Sequence, residues 1–187
     1  MLLALALAAS SLITNVADLV TAVRGGQDES EFLVSGTVQY VFDPGACEFL
    51  LADDTGTAEV FNRTPTYQTD AFAPGDVLRV SGKIGRVMPR GFTAVSKAIT
   101  HLRHGPAPEP VRIALSDIKG GRADFLHVRV RGTVINAFRD EIDSNYHYLT
   151  LSDGNCHVYV TVYTGRGSSP LDIGPLINAD VAITGAC

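Results

Sequence analysis

The chain has 187 residues, 45% hydrophobic and 19% charged, with a formal net charge of −5. That balance supports a packed core and excludes a disordered polypeptide. A pI of about 5.4 argues against a partner held mainly through phosphate contacts, which select basic surfaces.

The opening stretch Met1–Ser11 is apolar but too short to cross a bilayer. It has the small residues Ala4, Ala6, Ala8 and Ala9 of a secretory leader, without the positive n-region, and predicts export. Leu12–Val23 reads as an extended lead-in and then a helical turn, with Asn15 as cap and Asp18 in the first turn. A strand is expected over Phe32–Phe42, with Gly36 marking a bend inside it. Asp43-Pro44-Gly45 is a turn. Strands over Glu48–Ala52 and Thr57–Asn62 flank the hairpin turn Asp53-Asp54-Thr55-Gly56. An excursion rich in Thr, Pro and Asp covers Arg63–Pro74, and Pro74-Gly75-Asp76 is a further turn. The next strand is Val77–Ile84, with Leu78, Val80, Gly82 and Ile84 on one face. After a loop at Val87–Gly91 comes a strand over Phe92–Ile99, where Phe92, Ala94, Ser96 and Ala98 share a face. His104–Pro110 is a proline-rich, semi-rigid linker.

Beyond the linker the order repeats. Leu33–Val38 (LVSGTV) returns as Val130–Ile135 (VRGTVI), and FLLADDTG at Phe49–Gly56 returns as YLTLSDG at Tyr148–Gly154. Ile13, Val16, Asp18 and Leu19 align at one offset with Arg112, Leu115, Asp117 and Ile118, so a strap precedes each copy. Strands are expected at His127–Ala137, Tyr146–Ser152, His157–Tyr163 and Ala179–Ala186, with loops at Phe138–Asn145 and Thr164–Pro175. DVAITG at Asp180–Gly185 mirrors VLRVSG at Val77–Gly82. The second copy lacks a closing fifth strand, which leaves an open edge and suggests the front part of a longer polypeptide.

These features describe an all-β chain of two tandem OB-fold five-stranded Greek-key barrels, each preceded by a strap, the second truncated. The divisions are 1–11, a leader remnant; 12–103, the first strap and module; 104–111, the linker; and 112–187, the second strap and module. Strap, module, linker, strap and module in this order resemble the paired OB modules in the extracytoplasmic region of bacterial membrane-bound sensor histidine kinases. The likeness covers about residues 12–187 and rests on Ser35-Gly36-Thr37-Val38, Arg131-Gly132-Thr133-Val134, Asp53-Asp54-Thr55-Gly56 and Pro74-Gly75-Asp76. It implies a non-catalytic signal-input region, periplasmic or extracellular, with membrane-anchored and kinase segments following in the same polypeptide.

No catalytic motif is present: no GxSxG, P-loop, HExxH or Rossmann fingerprint. No cofactor and no metal site is legible. Asp53-Asp54 is explained by its hairpin turn, Gly25-Gly26 and Gly120-Gly121 by flexible joints, and His101 and His104 by solvated positions beside the linker. Cys47, Cys156 and Cys187 are too scattered for a disulfide framework and read as free or half-buried thiols.

One cluster points to binding. Tyr146, Tyr148 and Thr150 share a face of one strand, and His157, Tyr159, Thr161 and Tyr163 share a face of the next. Leu149, Leu151, Val158, Val160 and Val162 oppose them and form the interior. OB-folds bind oligonucleotides and oligosaccharides on that outer surface, and tyrosines offer stacking area with a polar handle. The candidate ligand surface is therefore Tyr146, Tyr148, His157, Tyr159 and Tyr163, for an unknown small ligand or partner protein. The competing reading packs this face against the first module, a strap or a partner chain. The first module's Glu48, Leu50, Thr57, Glu59 and Phe61 form a poorer platform. Two other functions stay open: single-stranded nucleic-acid binding, helped by Arg129, Arg131, Arg139 and Arg166 but opposed by the acidic balance, and a structural or adaptor role in an envelope protein.

Overall fold

The computed structural model describes residues 11–42, 48–62, 72–88, 91–165 and 171–187. Nearly all of the expected leader, the turn at Asp43–Gly45, most of the Arg63–Pro74 excursion, and Arg166 lie outside the described residues. The chain is mostly β, in two sheets of five strands each.

The first sheet closes on itself. Helix α1 (Val16–Arg24) is followed by β1 (Glu31–Val41), β2 (Glu48–Ala52), β3 (Thr57–Asn62), β4 (Val77–Val87) and β5 (Gly91–Arg103), and the strands form a barrel in the order β1-β2-β3-β5-β4. β3 and β5 run parallel, and the other neighbours are antiparallel. β1 changes partner at Thr37, which faces Val77 of β4 and Ala52 of β2. The expected bend at Gly36 sits there. A Cβ on Gly36 would lie 2.5 Å from the Ala52 carbonyl oxygen, so β2 approaches as closely as it does only because the side chain is absent.

α1 plugs one end of this barrel. Val16, Leu19 and Ala22 are buried with Phe32, Val34, Val38, Phe49, Leu51, Val60, Leu78, Val80 and Ile84. As expected, Asn15 caps the helix, its Oδ1 accepting from the Asp18 N–H at 2.8 Å. The hairpin turn after β2 supplies two more acceptors. Asp53 Oδ2 takes the Val16 N–H at 2.9 Å, and Thr55 Oγ takes the Ala17 N–H at 3.0 Å. The four N–H groups that any helix start leaves unpaired are thus met partly from across the barrel.

β5 departs from strict alternation. Ser81 faces Ala98 while Gly82 faces Ser96, leaving Lys97 as an extra residue. Such a bulge reverses the faces beyond it, so Ile99 rather than Ala98 packs on the core. β5 also runs to Arg103, which places His101 in the strand opposite Leu78.

After residues 104–110, β6 (Val111–Arg112) and α2 (Leu115–Lys119) lead into β7 (His127–Arg139), β8 (Tyr146–Ser152), β9 (His157–Tyr163), a 3-10 turn at Gly174–Leu176, and β10 (Asp180–Ala186). The order is β10-β7-β8-β9, with β6 parallel to β7. β7 also changes partner, at Thr133, which faces Asp180 and Ser152. Among the described residues no strand joins β9 to β10. Val128, Val130, Val134, Leu149 and Leu151 are buried, whereas Val160, Val162, Val181 and Ile183 are only partly so. His147 is fully buried on the same side, and neither ring nitrogen has a hydrogen-bond partner among the described residues. No described helix is long and apolar enough to cross a membrane.

Candidate functional site

The expected tyrosine face forms, and it is larger than the sequence suggested. Antiparallel pairing sets Tyr146 against Tyr163, Tyr148 against Thr161, Thr150 against Tyr159, and Ser152 against His157. Directly paired residues share a face, so Tyr146, Tyr148, His157, Tyr159 and Tyr163 are brought together on one surface. The Tyr146 and Tyr163 rings lie 4.9 Å apart. β7 adds Phe138, assigned to a loop above because the charged run Arg139-Asp140-Glu141 follows it. In the structure β7 continues to Arg139, Phe138 pairs with Tyr148, and their rings stack at 5.1 Å and 27°. Tyr159 is 83% exposed and Phe138 52%, so the face is open to solvent.

Asp140 orients one end of it. Its Oδ1 accepts from the Ile142 and Asp143 N–H groups at 2.8 Å each, and its Oδ2 accepts from the Tyr148 hydroxyl at 3.3 Å. Those backbone donors hold the Asp140 carboxyl below its ordinary range. Burial, and then the Asp140 charge, push the Tyr148 phenol upward, so Tyr148 is a neutral donor at physiological pH. The platform therefore presents stacked rings with an anionic rim.

On the corresponding face of β2 and β3, Leu50 is fully buried and Glu48 nearly so, while Thr57, Glu59 and Phe61 are half-buried. A separate cavity of about 360 Å³ lies beneath α1, lined by Val20, Val23, Ala58, Glu59, Phe92, Thr93 and Phe125. Burial raises the Glu59 carboxyl above its usual value. Phe125 reaches this wall from beyond the linker, with a φ of 63° and its N–H donated to the Cys187 carbonyl at 2.8 Å. The Arg24 guanidinium stands 5.7 Å from the Phe125 ring and 3.7 Å from Asp124. Nothing in the sequence pattern signalled this cavity.

The histidines assigned to solvated positions are in fact organised. His104 Nδ1 lies 2.6 Å from Asp76 Oδ1, and His101 Nε2 lies 3.3 Å from the same oxygen. Their exposed ring faces fit the expectation, but their nitrogens converge on a buried carboxylate. Cys156 and Cys187 are free thiols, the first buried and the second exposed, and Cys47 lies outside the described residues.

Compared with known proteins, the chain matches no family profile and no curated protein sequence. Among solved structures it is similar to one described as the hypothetical protein ygiW from E. coli, with 15% identity and a TM-score of 0.37. That match covers 49% of this chain and 90% of the other. It lends no weight to either a fold or a function.

Proposed function

We propose that this chain is a non-catalytic binding protein made of two OB-fold modules in tandem, over residues 12–103 and 112–187. The closed order β1-β2-β3-β5-β4 and the recurring order β10-β7-β8-β9 support the module assignment. The single observation that carries the binding role is the open aromatic face of β7, β8 and β9, where Phe138, Tyr146, Tyr148, Tyr159 and Tyr163 stand together. Its ligand has flat apolar faces and no dense negative charge, as a neutral oligosaccharide does. Asp140, Glu141 and Asp143 beside the platform, with the net charge of −5, oppose a phosphate backbone. In the larger setting the chain is the extracytoplasmic signal-input region of a membrane-anchored sensor such as a histidine kinase. That part rests on the sequence resemblance and the apolar opening stretch.

The test uses tyrosine fluorescence, undisturbed because the chain has no tryptophan. Neutral glucose and N-acetylglucosamine oligosaccharides, and a single-stranded oligonucleotide at low salt, are titrated into the protein. Saturable binding to a saccharide, lost in Tyr159→Ala without change in unfolding temperature, is the expected result. Salt-sensitive binding to the oligonucleotide alone would replace this reading with the nucleic-acid one. No response to either, with Tyr159→Ala altering self-association instead, would make the face an assembly surface.

A further inference from the structure

We propose that Asp76, His101 and His104 form a binding site for a divalent transition-metal ion of the zinc class, holding the linker against the first barrel. The site is assembled from three separately fixed parts. Asp76 closes the Pro74-Gly75-Asp76 turn. Its carbonyl accepts from the Val38 N–H at 2.8 Å, and its Oδ2 accepts from the Ala73 N–H at 2.8 Å. His101 is fixed by its place in β5. His104 opens the linker, whose backbone lies directly on the turn. Gly75 has a φ of +100°, and a Cβ there would meet the Gly105 and Pro106 carbonyl oxygens at 2.5 and 2.6 Å.

The chemistry of the donors selects the ion. The Asp76 side chain is only 5% exposed, and a carboxylate removed from water needs a compensating charge. Among the described residues its ion-pair partners are the two imidazoles, with neither Lys nor Arg. The three ligand atoms lie within 4.8 Å of one another, and the two rings are 4.2 Å apart. Two imidazole nitrogens and one carboxylate oxygen suit Zn²⁺ and its neighbours Co²⁺, Ni²⁺ and Cu²⁺, whereas Ca²⁺ and Mg²⁺ take all-oxygen sets. With ligand bonds of about 2.0–2.1 Å, tetrahedral donors stand roughly 3.3 Å apart. His101 and Asp76 already have that spacing at 3.3 Å. His104, at 2.6 Å and with its side chain 84% exposed, has room to retreat as the ion replaces the shared proton. Three protein ligands leave a fourth position for water.

The test is made on the full, untagged chain. Co²⁺ is titrated and read by its visible absorption, then displaced by Zn²⁺. X-ray absorption at the zinc edge counts the imidazole ligands. Since loss of even an outer-shell partner weakens metal sites about 10–100-fold, His101→Gln and His104→Gln should each lower affinity at least tenfold, while Asp54→Asn, at an exposed turn position outside the cluster, leaves it unchanged. Each cluster variant removes a hydrogen-bond partner of the buried Asp76 carboxylate, so the unfolding temperature without metal should fall, and the effect of zinc is read against each variant's own metal-free value. With Zn²⁺ it should rise in the natural chain alone. The inference is overturned if Co²⁺ gives no tetrahedral spectrum, if zinc shows no imidazole ligands, or if both variants bind as the natural chain does. None of these outcomes depends on whether the tyrosine face binds a saccharide.

Discussion

The barrel and the second sheet use the same local devices and reach different degrees of packing. Each has a glycine where its long strand changes partner, an acidic turn after the next strand, and a strap bridged in parallel to the start of the long strand, at Ile13 to Phe32 and at Val111 to Val128. In the barrel, β5 completes the ring, the nine-residue α1 fills the end, and Asp53 ties the turn to the helix. Among the described residues of the second sheet no strand joins β9 to β10, the five-residue α2 buries Leu115, and Asp153 bonds the Asn155 and Cys156 N–H groups of its own turn. Sequence pattern decides which residues become strands. Closure decides how completely their apolar faces leave water.

If closure governs packing, equivalent substitutions should cost more in the barrel. Leu19→Ala empties a fully buried site and should destabilise by about 3–4 kcal/mol, against about 1–2 kcal/mol for Ile118→Ala on the partly buried α2. Urea unfolding of the two variants measures the difference, and equal losses would remove the distinction. Gly36→Ala drives a methyl group into the Ala52 carbonyl and should cost about 2–3 kcal/mol. Gly132→Ala meets Ser152 oxygen at 3.0 Å rather than 2.5 Å and should cost about 1 kcal/mol.

The acidic turns allow a comparison in pH. Burial pulls the Asp53 carboxyl upward, but hydrogen bonds from the Thr55 hydroxyl and the Val16, Thr55 and Gly56 N–H groups outweigh it and leave it below its ordinary value of 3.8. A depressed carboxyl stabilises the fold above its unfolded value, and that stability is lost as pH falls through the folded one. Melting temperature should therefore drop as pH falls below about 4. Asp53→Asn should remove part of that drop and about 1–2 kcal/mol at neutral pH. Asp153→Asn should do less, having no helix to release. In the other direction, His147→Leu exchanges a buried ring with no hydrogen-bond partner among the described residues for an apolar side chain and should stabilise the second sheet by about 1 kcal/mol. Tyr159→Ala should shift stability by less than about 0.5 kcal/mol, since the ring is in solvent.

The strands bounded by turn residues were legible to within a residue. β2, β3, β8 and β9 end where Asp-Gly turns and polar runs interrupt the period-two pattern. The bulge at Lys97 was not, because an extra residue in one strand is defined only against its partner. Phe138 was missed because local charge signals a loop, while pairing with β8 carried the strand on to Arg139. The tyrosine face followed from alternation alone. Asp76 and His104 stand 28 positions apart, and only the return of β5 beside β4 brings the two histidines to the turn.

The anchoring of α1 also sets an order of events. Its first N–H groups bond to Asp53 and Thr55, 37 and 38 positions further along. A nine-residue helix is too short to persist alone in water. α1 therefore gains its full start only once the β2–β3 hairpin exists, although it is made first during synthesis. Folding of the barrel should run from the hairpin outward, with helix signal arriving late, and slowing the hairpin should delay the helix by the same factor.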